Sequence, residues 1–266
     1  MRGYFAAAER AHTLIEQAEA QGEAVEDPLL LFSVLYGLWV ANVTAFKGDV
    51  VRELAVQFLA LAQKQRATVP LMIGHRLIGL SLLHTGGIAE GRAHLDRALA
   101  LYDPAEHRSL ATRFGQDARV SILSYRLHAL WFLGSPEAAR KDAEHMLTDA
   151  REIGGAATMM YALGHRLLSH VYGRNYAAAN AQADELVALA AEKGALFWKA
   201  FAMMSHASVL ALTGKASNTI QMLTSAIAAW RTREQHCGRR CFFHIWPWRM
   251  QSLGNLTTLG VALAKR

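Results

Sequence analysis

Residues 75–99 read HRLIGLSLLHTGGIAEGRAHLDRAL, and this stretch decides the predicted fold. Two segments with apolar residues at helical spacing flank the glycines at 86 and 87. Glycine is favoured where a helix ends, because it adopts positive φ at little steric cost. Gly79 and Gly91 would let the two segments approach closely, and the seam between them is filled by Leu82, Leu95 and Ala98. The stretch therefore predicts two antiparallel helices joined by a tight turn.

The same arrangement recurs along the chain with a period of about forty residues. Turns that contain glycine lie at Gly48, Gly86, Gly134, Gly173 and Gly214. Equivalent seam positions hold small and large apolar residues: Ala139, Ala143 and Met146, then Ala179, Ala183 and Leu186, then Ala207, Leu223 and Ala226. This alternation resembles the tetratricopeptide (TPR) pattern, although its spacing is longer and less regular. Proline at the start of a helix costs little, and such starts are predicted at Pro28, Pro70 and Pro136.

The fold class that follows is all-α, a TPR-like α-solenoid of about five antiparallel helix pairs over residues 1–232. The composition agrees, since 52% of residues are hydrophobic and 19% are charged, which allows a large core. The formal net charge of +6 is concentrated in residues 233–266, which hold six basic residues and one acidic residue. Because residues 1–232 are nearly neutral, no nucleic-acid partner is expected.

One uncharged stretch, residues 29–46, approaches the length of a membrane span. Polar residues such as Ser33, Asn42 and Thr44 dilute it, and no basic cluster flanks one side. We therefore interpret it as a buried helix of the first repeat and expect no membrane partner. The N-terminus lacks the uninterrupted apolar run of a signal peptide, so a cytoplasmic location is expected.

The connector between the second and third predicted pairs is the most distinctive stretch. It reads LYDPAEHR over 101–108 and GQD over 115–117, and ALWFLGSP follows over 129–136. Together with Leu38-Trp39 and Phe197-Trp198, it resembles the C-terminal TPR-like region of large bacterial signalling proteins. Those proteins combine a class III nucleotide cyclase domain, a P-loop ATPase domain and a helical repeat tail. The resemblance covers about residues 2–232 and implies a non-catalytic interaction or sensor region.

The sequence predicts no enzymatic activity and no cofactor. It lacks the Gly-x-x-x-x-Gly-Lys-Ser/Thr loop that binds phosphate, and it lacks a cyclase domain. The expected partner is a protein or peptide segment in the concave groove of the solenoid. Candidate groove residues are Trp39, Arg76, Tyr125, His128, Trp131 and His165. The alternative is that these residues pack in the seams between helices, an interpretation that applies particularly to the tryptophans.

Two further groups of polar residues have both a structural and a ligand-binding interpretation. Four connector residues either form a ligand loop or, more commonly for such residues, cap helices and brace the insertion: Asp103, His107, Arg108 and Asp117. Four histidines fall on predicted first helices without the i,i+4 spacing of a helical metal site: His75, His128, His165 and His170. No metal site is therefore expected from the histidines.

The repeat pattern stops at Thr232, and residues 233–266 are predicted to be a divergent, irregular tail. Reading plausible codons one base out of frame restores a TPR-like helix pair, so we hypothesise an insertion near codon 232. The tail contains four residues of metal-ligand type, His236, Cys237, Cys241 and His244. Their spacing does not match the usual spacing of zinc ligands.

The opposite end of the chain also departs from the repeat. Residues 2–22 are predicted to be an amphipathic helix equivalent to the second half of a repeat, as though the chain were a fragment. The alternative function is therefore a truncated and frameshifted remnant with no independent activity. Uncapped apolar ends would then favour self-association.

Overall fold

The computed structural model describes residues 28–44, 48–213 and 224. This part of the chain is entirely α-helical, apart from a short 3-10 helix (Arg108–Leu110) and the turns between helices. The long helices are α1 (Pro28–Thr44), α2 (Gly48–Gln65), α3 (Thr68–Thr85), α4 (Ile88–Ala100), α7 (Ala118–Phe132), α8 (Pro136–Ile153), α9 (Ala156–Tyr172), α10 (Tyr176–Glu192) and α11 (Leu196–Leu212). Two short helices, α5 (Pro104–His107) and α6 (Ala111–Phe114), lie in the connector.

The long helices pack in antiparallel pairs, because the turns between partners are short. The pairs are α1 with α2, α3 with α4, α7 with α8, and α9 with α10, and α11 follows as the next first helix. Each second helix also contacts the first helix of the next pair, and α3, α7, α9 and α11 contact one another in sequence. The protein is therefore an α-solenoid, as the sequence predicts.

The seam of the second pair has the close contact that its glycines predict. A Cβ atom added at Gly91 would lie 2.9 Å from the carbonyl oxygen of Gly79. One added at Gly79 would lie 2.6 Å from Cγ of Leu95. Leu82, Leu95 and Ala98 are all buried beside this contact. Seam residues of the later pairs are buried in the same way, namely Ala139, Ala143, Met146, Ala179, Ala183, Leu186 and Ala207.

The turn residues follow the prediction in part. Gly86 and Gly134 have positive φ values of 93° and 78°, as expected where a helix ends. At the turn after α9, Gly173 has a φ of −75°, and Arg174 takes the left-handed conformation with a φ of 55°. Gly48 is the first residue of α2 rather than a turn residue after α1.

Helix starts agree with the prolines to within two residues. Pro28 begins α1 and Pro136 begins α8, where the missing N–H group costs little. Pro70 lies in the first turn of α3, which begins two residues earlier at Thr68. The turns between successive pairs contain two glycines that the repeat pattern does not single out: Gly154 has a φ of 72° and Gly194 a φ of 64°.

Two hydrophobic cores meet at α7. The N-terminal core contains buried residues of α1 to α4 together with Ala118, Ile122 and Ala129 of α7. The C-terminal core contains Leu123 and Leu127 of α7 together with buried residues of α8 to α11. Successive residues of one helix therefore belong to different cores, and α7 is the helix that joins the two halves of the solenoid.

The connector residues cap helices and brace the solenoid. Asp103 caps α5 by accepting a hydrogen bond from the backbone N–H two residues later, at 2.8 Å. Asp117 caps α7 by accepting from the backbone N–H three residues later at 3.0 Å, and it accepts a hydrogen bond from the Tyr102 hydroxyl at 2.9 Å. His107 is buried and accepts from the N–H of Asp103 at 2.9 Å. Arg108 forms an ion pair with a glutamate of α8 at 3.2 Å. These contacts give the connector residues structural roles.

None of the described helices is long and apolar enough to cross a membrane. The uncharged stretch over residues 29–46 falls largely in α1, which has 17 residues. Several predictions concern residues outside the described ranges. These are the helix over residues 2–22, the turn at Gly214, the seam residues Leu223 and Ala226, and the tail over residues 233–266 with His236, Cys237, Cys241 and His244.

Candidate functional site: the first-helix seam

We use the name first-helix seam for the side chains through which α1, α3, α7, α9 and α11 contact one another. Between α1 and α3, the indole N–H of Trp39 donates to the hydroxyl of Ser81 at 3.2 Å. Tyr36 stacks near Trp39 with the ring centroids 6.2 Å apart. The Tyr36 hydroxyl donates to the carbonyl of Phe114 at 2.9 Å, which attaches α1 to the connector. Both aromatic side chains are buried, so they pack rather than present a surface.

Arg76 lies at the centre of the seam and is 1% exposed. Its Nη1 donates to the Ser121 hydroxyl at 2.6 Å, and its Nη2 donates to the Tyr36 hydroxyl at 2.9 Å. Its Nε has no hydrogen-bond partner, and it makes no ion pair within residues 28–44 and 48–213. Burial acts to lower the pKa of Arg76, but the neighbouring phenol groups, Tyr36 foremost, outweigh burial and raise that pKa. Arg76 is therefore a charged side chain that joins three first helices.

Between α7 and α9, two pairs of polar rings form the seam. The Tyr161 hydroxyl hydrogen-bonds the Tyr125 hydroxyl. One turn further along, Nε2 of His128 and Nδ1 of His165 are 2.8 Å apart, a distance at which one imidazole donates to the other. Burial raises the pKa of Tyr161 well above its ordinary value, and Tyr125 adds to this effect. The Tyr161 phenol therefore stays protonated at neutral pH and acts as a hydrogen-bonding group.

The seam continues from α9 to α11 through larger aromatic rings. The Tyr161 and Trp198 rings meet edge to face with centroids 5.5 Å apart. Gly164 provides the room, because a Cβ atom at this position would lie 2.6 Å from the Trp198 ring. Near the end of α7, the Trp131 and Tyr172 rings are 5.9 Å apart. An aromatic row thus runs across three successive first helices.

All six predicted groove residues lie in the first-helix seam. Trp39, Arg76, His128 and His165 are buried there, with 8% or less of each residue exposed. Tyr125 and Trp131 are only half-buried and keep some accessible surface. Because Trp39, Arg76, His128 and His165 are buried, they pack between helices. A ligand that reaches this face would contact the half-buried Tyr125 and Trp131.

Several seam residues have no signal in the sequence. Tyr36, Ser121 and Tyr161 meet Arg76 or Tyr125 only after folding, because their partners are 36 to 45 residues away. With a regular repeat spacing, these residues would fall at equivalent positions of successive repeats and could be paired from the sequence. The extra connector breaks that spacing before the third helix pair. Trp198, which the sequence marks only through the family resemblance, extends the aromatic row through its contact with Tyr161.

A second histidine pair bridges α3 and α4 outside the seam. The Nδ1 atoms of His75 and His94 are 3.0 Å apart. Burial, followed by the nearby His94 and Arg97, lowers the pKa of His75 to about 4. Burial also lowers the pKa of His94. Both rings are therefore neutral at pH 7. Among the described residues, no group of three or more His, Cys, Asp or Glu side chains could hold a metal ion.

Comparisons with known proteins bear on the fold. No protein-family model matches this chain, and no curated protein matches it. Among solved structures, the chain is similar to BtubC (BKLC) from P. vanneervenii, with a TM-score of 0.56 and 16% sequence identity. The similarity covers 90% of this chain and 92% of the other. At this identity the likeness concerns the helical fold alone.

Proposed function

We propose that this chain is a TPR-like, non-catalytic interaction or sensor region of a cytoplasmic signalling protein of the cyclase/ATPase type. In this proposal it binds a peptide segment along the first helices, across successive repeats. The connector and the tryptophan-containing stretches that resemble such regions support the parent family. The binding role is supported by the aromatic row of the first-helix seam.

The aromatic row is the observation that carries the binding role. Tyr125, Tyr161 and Trp198 lie on three successive first helices, contact one another, and are each half-buried. Aromatic residues are enriched at the points that contribute most to protein–protein affinity. An extended peptide can contact several repeats at once, because a solenoid presents equivalent helices side by side.

Selection of peptides from a random phage-displayed library on the full chain tests this proposal. Synthetic copies of the enriched peptides are then titrated by fluorescence anisotropy. We expect Tyr161→Ala to weaken binding at least tenfold, because truncation of a central aromatic contact typically costs about 2 kcal/mol or more.

The matched control is Tyr176→Ala, which truncates another half-buried tyrosine on the second helix α10. Circular dichroism on both variants verifies that the helices remain folded. We expect the control to bind like the unmodified chain. Failure to enrich any peptide, or equal losses in the two variants, would contradict the proposal.

A further inference from the structure

A cavity of about 220 Å³ lies where α7, α8 and α9 meet, and Trp131 of the first-helix seam forms part of its wall. It is a partly open cleft lined by the C-terminal ends of α7 and α9, by the N-terminal half of α8 and by the turn at Gly173. We call it the turn-edge cavity. Its polar and aromatic lining includes Trp131, Arg140, Glu144, Arg166, Ser169 and His170.

Two opposite charges line this cavity from different helices without meeting. Arg166 projects from α9 and Glu144 from α8, and they form no ion pair with each other or with any other described residue. The charge of Arg140 is already offset, because its guanidinium pairs with Glu137 on the same helix. The cavity therefore presents one available cation and one available anion. A ligand that carries both charges can satisfy both at once.

The remaining walls suit a small molecule with an apolar part. Trp131 contributes a half-buried indole ring, and the methyl group of Ala143 is buried beside it. Burial and the nearby Arg166 lower the pKa of His170, so its ring is neutral at pH 7 and adds no charge. The buried Ser169 offers a hydroxyl group. The volume lies below the range of about 300–1,000 Å³ for drug-sized ligands, which indicates a smaller molecule.

We propose that the turn-edge cavity binds a small zwitterion, an α-amino acid or a close analogue. The ligand carboxylate accepts hydrogen bonds from the guanidinium of Arg166, and the ligand ammonium group donates to the carboxylate of Glu144. The ligand side chain lies against Trp131. The cavity shares Trp131 with the first-helix seam, but its two charges, Arg166 and Glu144, are not part of the aromatic row, so amino-acid binding does not depend on the proposed peptide binding.

The first experiment is a thermal-shift survey of the full chain with each proteinogenic amino acid at about 10 mM, a concentration at which weak ligands raise the unfolding temperature. The best amino acid is then compared by calorimetry with its deaminated carboxylate and its decarboxylated amine. We expect the zwitterion to bind at least tenfold more tightly than either analogue. If no amino acid stabilises the chain, or if the carboxylate analogue binds equally well, the proposal is wrong.

Two matched pairs of variants locate the site. We expect Arg166→Gln and Glu144→Gln each to weaken binding at least tenfold, because each removes one of the two charges. Arg52→Gln and Glu53→Gln make the same changes at exposed positions of α2, and we expect them to bind normally. Unchanged binding in Arg166→Gln would place the ligand elsewhere and overturn the assignment. Peptide binding measured on the same variants separates this result from the proposed function.

Discussion

Arg76 places a guanidinium where three first helices meet, with hydrogen bonds but no carboxylate partner among the described residues. A buried charge carries a desolvation cost, and at Arg76 hydroxyl hydrogen bonds rather than a carboxylate oppose it. The Tyr36 and Ser121 hydroxyls would still be hydrogen-bonded without Arg76, because each also donates to a backbone carbonyl. The physical expectation is that the length of Arg76 matters for packing more than its charge does.

This expectation gives a prediction for two substitutions. We expect Arg76→Met to change the free energy of unfolding by less than about 1 kcal/mol, because an apolar chain of similar length fills the same space. We expect Arg76→Ala to lose about 2–4 kcal/mol, because it leaves a cavity in the seam. Urea unfolding followed by circular dichroism measures both. Equal losses in the two variants would show that the charge itself is stabilising.

Sequence reasoning succeeds for residues whose partners are near in the chain and fails for most others. The burial of Leu82, Leu95 and Ala98 follows from helical spacing within one hairpin. The cavity charges Glu144 and Arg166 give no such signal, because charged residues on amphipathic helices are usually solvated. Only the packing of α8 against α9 places them around one cavity.

At the scale of the helices, the second pair depends on a backbone contact rather than on side chains alone. The Cβ position of Gly91 faces the carbonyl oxygen of Gly79, and a carbonyl of a helix cannot rotate away. The two helices would have to separate to admit a methyl group. Their close approach is therefore a property of the glycines, which the small-residue pattern of the sequence predicts correctly.

We expect Gly91→Ala to lower the free energy of unfolding by about 1–3 kcal/mol through overpacking. This loss would occur although alanine is intrinsically the better helix former by about 1 kcal/mol. Gly48→Ala is the control, since its added Cβ would meet no atom of a described residue nearer than 3.8 Å, on Thr85. We expect the control to be neutral or slightly stabilising. Thermal unfolding checks both, and full stability of Gly91→Ala would refute the contact argument.

At the scale of the whole molecule, each described long helix packs mainly against the next helix in the row, and first helices also contact the next first helix. The connector touches α1 as well. The regular part of this arrangement follows from the repeat in the sequence. The connector could not be placed in the same way, because its residues have no counterpart in the other repeats. For connector residues such as Asp117, the sequence alone leaves two interpretations open, a helix cap and a ligand loop.

Nearest-neighbour packing predicts that a core defect stays local. We expect Leu186→Ala, a cavity in α10 that costs about 2–5 kcal/mol, to speed amide hydrogen exchange in α9 to α11 and leave α1 and α2 unchanged. Leu59→Ala in α2 should give the reverse pattern. Exchange measured by mass spectrometry distinguishes the regions. A uniform increase along the chain would contradict nearest-neighbour behaviour.

The position of α7 between the two cores also has a mechanical consequence. Ala118 and Ile122 near its start and Ala129 near its end all belong to the N-terminal core, and Trp131 at its far end lines the turn-edge cavity. The helix is about 22 Å long, so a tilt of about 5° at one end displaces the other by about 2 Å. Because buried side chains of both cores alternate along α7 as far as Ala129 and Leu130, such a tilt would disturb the packing of both halves of the solenoid at once.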